Sequence, residues 1–289
     1  MTDTTRPQHH AVLRVEYDGT PFSGWTRQPR DRATIEQAML DAFERIGCSD
    51  VQLRCAGRTD AGVHATAQVI DATYSGSVDP GRLHLALTGG LPAALVVTEA
   101  ATAPIGFNAR FDATSRAYEY RVLTRSIDSP VRRQRVLHHP RALDRELLDE
   151  AAAAVLGKHR FTAFTPSRTE HVFFDRTVVT SRWIDRGDEL VYEVRANAFL
   201  RHMVRVLVGT MLAVGRGETR VDELRRMLDG APRSEACQTA LPHALCLVDV
   251  TWEPVEGLPL PPSWRAGHAP ELRDPAALVA DAVPFSSLG

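Results

Sequence analysis

The sequence predicts an α+β fold in which two similar halves join in one mostly antiparallel central sheet with helices on one side. Segments with strand alternation and with helical periodicity follow the order strand, helix, strand, strand, helix, strand over residues 11–105, the order of a ferredoxin-like unit. A similar order recurs over residues 106–253, although no sequence repeat relates the two. At 289 residues, 44% hydrophobic and 24% charged, the chain has apolar mass for one large core or two smaller ones.

The N-terminal residues are polar and lack an apolar signal segment, so 1–10, with Pro7 to His10, are expected to be a mobile lead-in. Residues 11–18 alternate apolar and polar and end at Gly19, a strand and a turn. Thr34-Ile-Glu-Gln37 is a capping-box pattern in which Thr34 and Gln37 satisfy each other's free amides, and it opens a helix that Gly47 closes. Strands follow at Val51–Cys55 and Ala67–Tyr74, around a polar loop from Gly57 to His64, then a short helix near Pro80–Leu87 and a strand near Leu95–Ala100. In the second half the pattern predicts a strand at Arg116–Leu123, a helix at Asp144–Leu156, and paired strands near Val172–Asp185 and Glu189–Ala196. A long helix at Phe199–Val214, a short one at Val221–Leu228 and a strand near Cys246–Trp252 complete it. Residues 254–289 hold seven prolines in their 36 positions and read as an extended tail.

Composition excludes several chemistries. Lys158 is the only lysine among 34 cationic residues. A phosphate-cradling P-loop ending there needs Gly at 152 and Ser or Thr at 159, where Ala152 and His159 stand. Lys158 itself reads as a solvated helix end, unsuited to Schiff-base chemistry. Cys48, Cys55, Cys237 and Cys246 form no CxxC pair, and the eleven histidines form no HExxH or HxH, so no metal site is expected and a reduced cytoplasmic protein is. The longest uncharged stretch, Leu83–Thr98, contains Gly89-Gly90 and Pro92 and does not read as a membrane span.

Three places could carry chemistry. Asp60 stands between Gly57 and Gly62 after a strand, either as a turn residue bonding its own backbone or as a displayed carboxylate. In the long helix, His202, Arg205 and Gly209 line up at i, i+3, i+7 within an otherwise apolar circumference. A buried arginine there requires an anion, and Asp60 is a plausible one, unless Arg201 and Arg205 reach the surface. Tyr118 shares a strand face with Arg116 and Tyr120, which suits core packing or, on an open sheet face, the stacking of a splayed base. Aromatic and arginine residues also interleave at Trp25–Gln28 and at Phe107–Phe111, which includes Arg110.

These segments resemble the tRNA pseudouridine synthase A (TruA) family: Tyr17-Asp-Gly-Thr-Pro-Phe-Ser-Gly-Trp25, Gly57-Arg-Thr-Asp-Ala-Gly-Val-His64, Phe107-Asn-Ala-Arg-Phe111, Arg116-Ala-Tyr-Glu-Tyr120 and Ala196-Asn-Ala-Phe-Leu-Arg-His-Met-Val-Arg205. The resemblance covers residues 11–252 in order and implies a pseudouridine synthase fold with two RRM-like halves. It implies isomerisation of uridine to pseudouridine at nucleotides 38, 39 and 40 of the tRNA anticodon arm, without cofactor, by a homodimer that tRNA crosses. It places the nucleophilic aspartate on Asp60, the stacking tyrosine on Tyr118 and the arginine partner on Arg205. Arg58 becomes the base-displacing arginine, Leu245 the residue under the target base, and Arg110 a substrate contact. Tyr118 would also stand within reach of the C5 proton. Thr26, Thr88-Gly89-Gly90 and Ala244 depart from the family's usual residues.

Two other classes compete: an RNA-binding chaperone without catalysis, and an aspartate-dependent hydrolase. A pure binder gains nothing from a carboxylate facing a polyanion. A hydrolase wants a second carboxylate near Asp60, and none is evident in the sequence. From Asp249 onward six acidic residues face Arg265 and Arg273, a net −4, so the overall −2 conceals a +2 body over residues 1–248.

Overall fold

The computed structural model describes residues 7–29, 32–104 and 106–252; the expected tail lies outside them. In the first half, β1 (Gln8–Tyr17) is flanked by β4 (Leu95–Thr102) and β3 (His64–Ser75), and β2 (Ser49–Cys55) lies on the far side of β3, all antiparallel. Between them run α1 (Ile35–Arg45) and α2 (Leu83–Thr88). The second half repeats this spatial order. β5 (Ala113–Leu123) lies between β10 (Leu245–Trp252) and β9 (Glu189–Ala196), and β8 (Asp175–Arg186) follows, with β7 (Gly157–Arg160) at the edge. A two-residue strand, β6 (Leu137–His138), adds to β5 in parallel. The helices of this half are α3 (Arg145–Ala154), α4 (Met203–Gly215) and α5 (Val221–Leu228).

The two four-stranded units fuse because β3 is twelve residues long. Its C-terminal part pairs with β2, while His64 and Ala65 at its start pair in parallel with Cys246 and Leu247 of β10. The Asp60 loop, which enters β3, is thereby brought to the seam of the halves. Helical cover lies on the face bearing Tyr74 and Tyr192: Phe43 of α1 packs on Tyr74, and Ser181, bonded to the Tyr192 hydroxyl, donates to the α3 carbonyl of Ala152. On the opposite face of the second half, Glu119 and Glu193 lie opposite one another in register and are bridged by Arg186, while Arg182 forks onto Glu193.

Several expectations change. Gln8–His10 are strand and not lead-in, because His9 stacks on Tyr74 at 5.2 Å and His10 meets the buried Asp71 carboxylate at 3.2 Å. Lys158 lies on edge strand β7 and not at a helix end, its amide in register with Thr177. The capping box is half formed: Thr34 accepts from the Gln37 amide, but the Gln37 side chain donates forward to Asp41 at 2.6 Å. The long helix starts at Met203 and not Phe199, since His202 takes φ 62° and breaks the helical path before it.

Candidate active site

The loop from Gly57 to Val63 is held by residues of the Tyr17–Trp25 motif together with Gln68 and His64. The Gln68 side chain brackets Gly57, accepting from its amide and donating to its carbonyl at 2.6 Å. Tyr17 and Thr59 share a hydroxyl hydrogen bond of 2.8 Å. The Trp25 amide donates to the Thr59 carbonyl and the Gly62 amide to Phe22. Gly19 is required by sterics, since a Cβ there would stand 2.1 Å from the Val63 carbonyl oxygen. His64 ends the loop. Its Nδ1 lies within bonding distance of the Gly19 amide and Arg135, and its Nε2 faces the carbonyls of Gln134 and His243. Burial, with Arg135 beside it, holds this imidazole below the usual histidine range, so at pH 7 it is a neutral tie between the Asp60 loop and the turn before Leu245. The Tyr17–Trp25 motif is therefore a cradle. Trp25, expected among RNA-facing aromatics, is 2% exposed and belongs to the core.

Within this cradle Asp60 stands beside Arg205, whose Nη1 donates to Oδ2 at 3.0 Å, the pairing that the helix pattern suggested. The aim of Arg205 is set by backbone: its Nε donates to the Ala240 carbonyl at 2.8 Å, and its own carbonyl accepts from the Ala240 amide. That strand-like approach to α4 is possible because Gly209 has no side chain. A Cβ at Gly209 would lie 1.9 Å from the Gln238 carbonyl oxygen. Gly209→Ala is expected to destabilise the fold by about 3 kcal/mol, since backbone must shift to relieve the clash. A Tm lower by roughly 5–10 °C checks this.

His202, immediately before α4, places Nε2 3.6 Å from the same Oδ2 of Asp60. Burial keeps its imidazole below the ordinary range, with Asp60 opposing and Arg205, Arg201 and Arg233 reinforcing that shift. Among the described residues Oδ1 of Asp60 accepts no hydrogen bond, so one carboxylate oxygen is held and the other is open.

Tyr118 lies in register with Leu247 of β10 and Val194 of β9, on the helix-covered face. Of the two readings for it, core packing describes the free protein: the ring is 7% exposed and meets the edge of Phe199 at 5.1 Å, although the residue also lines the cleft that Asp60 lines. Burial first, and the nearby Asp60 charge second, push its phenol well above the usual tyrosine range. The phenol therefore stays protonated at neutral pH and is a donor, not a proton acceptor, in the free protein. Arg116, expected beside a stacked base, is 6% exposed and spent on backbone. It donates to the carbonyls of Ala56, Ala113, Asn197 and Arg110, which fastens the start of the Asp60 loop to the approach to α4.

Asp60, Tyr118, Arg205, Arg58, Arg110 and Leu245 line one cleft of about 1580 Å³, larger than pockets that enclose drug-sized ligands. Eight arginines and two acidic residues line it, so it is cationic although the chain is net negative. Arg58, Arg168 and Arg201 make no side-chain hydrogen bond or ion pair among the described residues. Arg110 lies over the Phe111 ring at 5.5 Å, and that ring is 77% exposed at the cleft mouth. Sequence reasoning missed Arg168, from the segment before β8, and Arg176, the second residue of β8, because no periodicity marks which loop or strand end comes to lie beside a distant site.

A family profile described as tRNA pseudouridine synthase matches residues 14–112 and 151–253. The chain belongs to that family. A protein named tRNA pseudouridine synthase A from Pseudoalteromonas atlantica is 38% identical over 248 residues, covering 86% of this chain and 94% of that relative. Relatives of the same name from Halalkalibacterium halodurans and Xanthobacter autotrophicus are each 37% identical, over 81% and 83% of this chain and 89% and 98% of their own. Within this tRNA pseudouridine synthase family match lie Asp60, Arg205 and Leu245, whereas Tyr118 and Arg116 stand between the two matched segments.

Proposed function

We propose that the protein converts uridine to pseudouridine at positions 38, 39 and 40 of the tRNA anticodon arm, with Asp60 as nucleophile. The observation that carries this reading is the Asp60 carboxylate, paired with Arg205 through one oxygen, at the foot of an arginine-lined cleft. The isomerisation breaks the bond from ribose C1′ to N1 and makes one from C1′ to C5, while the C5 proton leaves and N1 gains a proton. The open Oδ1 of Asp60 meets the nucleotide, and Arg205 holds the carboxylate aimed through Oδ2. Tyr118 stacks on the uracil, which lets the detached ring turn without breaking directional bonds, and Leu245 supports it from below.

A base paired in the stem must leave its stack to enter. Arg58, exposed and with no side-chain hydrogen bond or ion pair among the described residues, fills the gap that it leaves. Arg110, Arg168 and Arg201 receive the backbone phosphates. The residues need no metal or organic cofactor for this chemistry. A homodimer that tRNA crosses, acting in the cytoplasm, belongs to the same reading; no helix among the described residues is long and apolar enough to cross a membrane.

The salt dependence of binding follows from the free arginines. If they contact phosphates, affinity for unmodified tRNA is expected to fall about 15- to 60-fold between 50 and 200 mM salt. Arg168→Ala should reduce the slope of log affinity against log salt by about one unit. The reading as a whole is tested by incubating an unmodified tRNA transcript with the protein and mapping pseudouridine by carbodiimide adducts. Adducts at 38–40 are expected, and a transcript that is bound but carries none contradicts the reading.

A further inference from the structure

The Asp60 carboxylate has an asymmetry that Arg205 alone does not explain. Arg205 and His202 both approach Oδ2, at 3.0 and 3.6 Å, while Oδ1 has no partner among the described residues. His202 reaches this place through an unusual backbone. It stands at φ 62°, ψ 0°, the left-handed region, directly before the first residue of α4, and it is one of two non-glycine residues described with positive φ. A left-handed residue turns its side chain away from the helical path, and here that turn delivers the imidazole to the cleft. Strain of this kind, held by surrounding structure, concentrates at functional sites.

We propose that His202 is a positioning residue for Asp60: with Arg205 it closes a two-sided clamp on Oδ2 and leaves Oδ1 as the oxygen that meets the nucleotide. The inference rests on the proposed isomerase reading. The 3.6 Å separation is longer than a hydrogen bond, and such contacts tighten when substrate closes the site. The groups facing the imidazole are Asp60 from the β2–β3 loop, Arg205 from α4, Arg201 from the preceding turn and Arg233 from the turn at 233–235. Three of the four are cations. Together with burial they keep His202 neutral at pH 7, so the clamp sets one full positive charge, that of Arg205, against Oδ2. Protonating His202 places a second cation there, which holds the carboxylate back from attack. With a folded value below the ordinary histidine value of about 6.5, that protonation falls on the acid side, and the rate declines as pH drops through it.

The test uses single-turnover conversion of unmodified tRNA by the full chain between pH 5 and 8, with tRNA affinity and Tm measured alongside. His202→Gly suits the left-handed backbone, so Tm should be unchanged or higher. Its rate at pH 7.5 is expected to fall about 10- to 100-fold, with affinity within twofold, because a carboxylate that swings is misaligned rather than absent. The acid decline should also vanish. His202→Asn tolerates the same backbone and retains a donor, so it should recover part of the rate without recovering the acid decline. A His202→Gly protein that keeps the wild-type rate within twofold, or keeps the acid decline, overturns the clamp. Wild-type protein that forms no pseudouridine at any pH instead overturns the isomerase reading, and the clamp with it.

Discussion

Asp60→Asn is expected to reduce single-turnover conversion of tRNA by about 10⁴-fold or more, the range in which enzymes lose rate when a nucleophile is removed. The substitution keeps shape and keeps an oxygen for the Arg205 guanidinium, so the loop need not move. Its cradle is made by Tyr17, Gln68, Trp25 and His64, none of which bonds the Asp60 side chain. Affinity for tRNA should hold or rise, since removing a negative charge from a cleft lined by eight arginines favours a polyanion. Loss of rate with tight binding is the signature expected of the chemical group. Conversion within tenfold of wild type would remove Asp60 from the mechanism.

Arg205→Leu is expected to lower the rate by about 10²- to 10³-fold, the usual effect of deleting one preorganised charged donor. The residue has two tasks, holding Oδ2 of Asp60 and holding the Ala240 carbonyl, and leucine performs neither. Arg205→Lys restores charge without the second bond, because lysine offers one ammonium where arginine offers a planar fork. An intermediate rate is expected for it. The measurement is again single-turnover conversion, with a circular dichroism melt to show that α4 survives. Full activity in the leucine variant contradicts the pairing.

Much of this architecture was legible in the order of sequence elements. Alternation marked β1 and β5, the apolar circumference marked α4 as buried, and Arg205 within it needed an anion unless it reached the surface; it meets Asp60. What periodicity could not show were features set by contacts between distant residues. Trp25, at the head of the Trp25–Gln28 interleaving, read as an RNA-facing aromatic and belongs to a cradle formed by Tyr17–Trp25, because only the folded chain sets Gly19 against Val63 and Tyr17 against Thr59. Arg116 read as a nucleic-acid contact and is a clamp on four carbonyls, a role visible only when Ala56, Arg110 and Asn197 converge. His202 lay on the correct stripe for the wrong reason: it reaches Asp60 from a left-handed turn and not from the helix. Tyr118 shares a face with Tyr120 as the alternation required, but no local pattern reveals which face of a sheet the helices cover.

The account rests on one chemical event, the exchange of the N1 bond for a C5 bond at a uridine held over Asp60. Tritium placed on uridine C5 in an unmodified tRNA is released to water only when that carbon enters the new bond and gives up its proton. The protein, without added cofactor, should release one tritium for each pseudouridine that appears in the anticodon arm, and Asp60→Asn should release none. A protein that binds the same tRNA and leaves its tritium in place, or an Asp60→Asn variant that still releases it, would contradict the account.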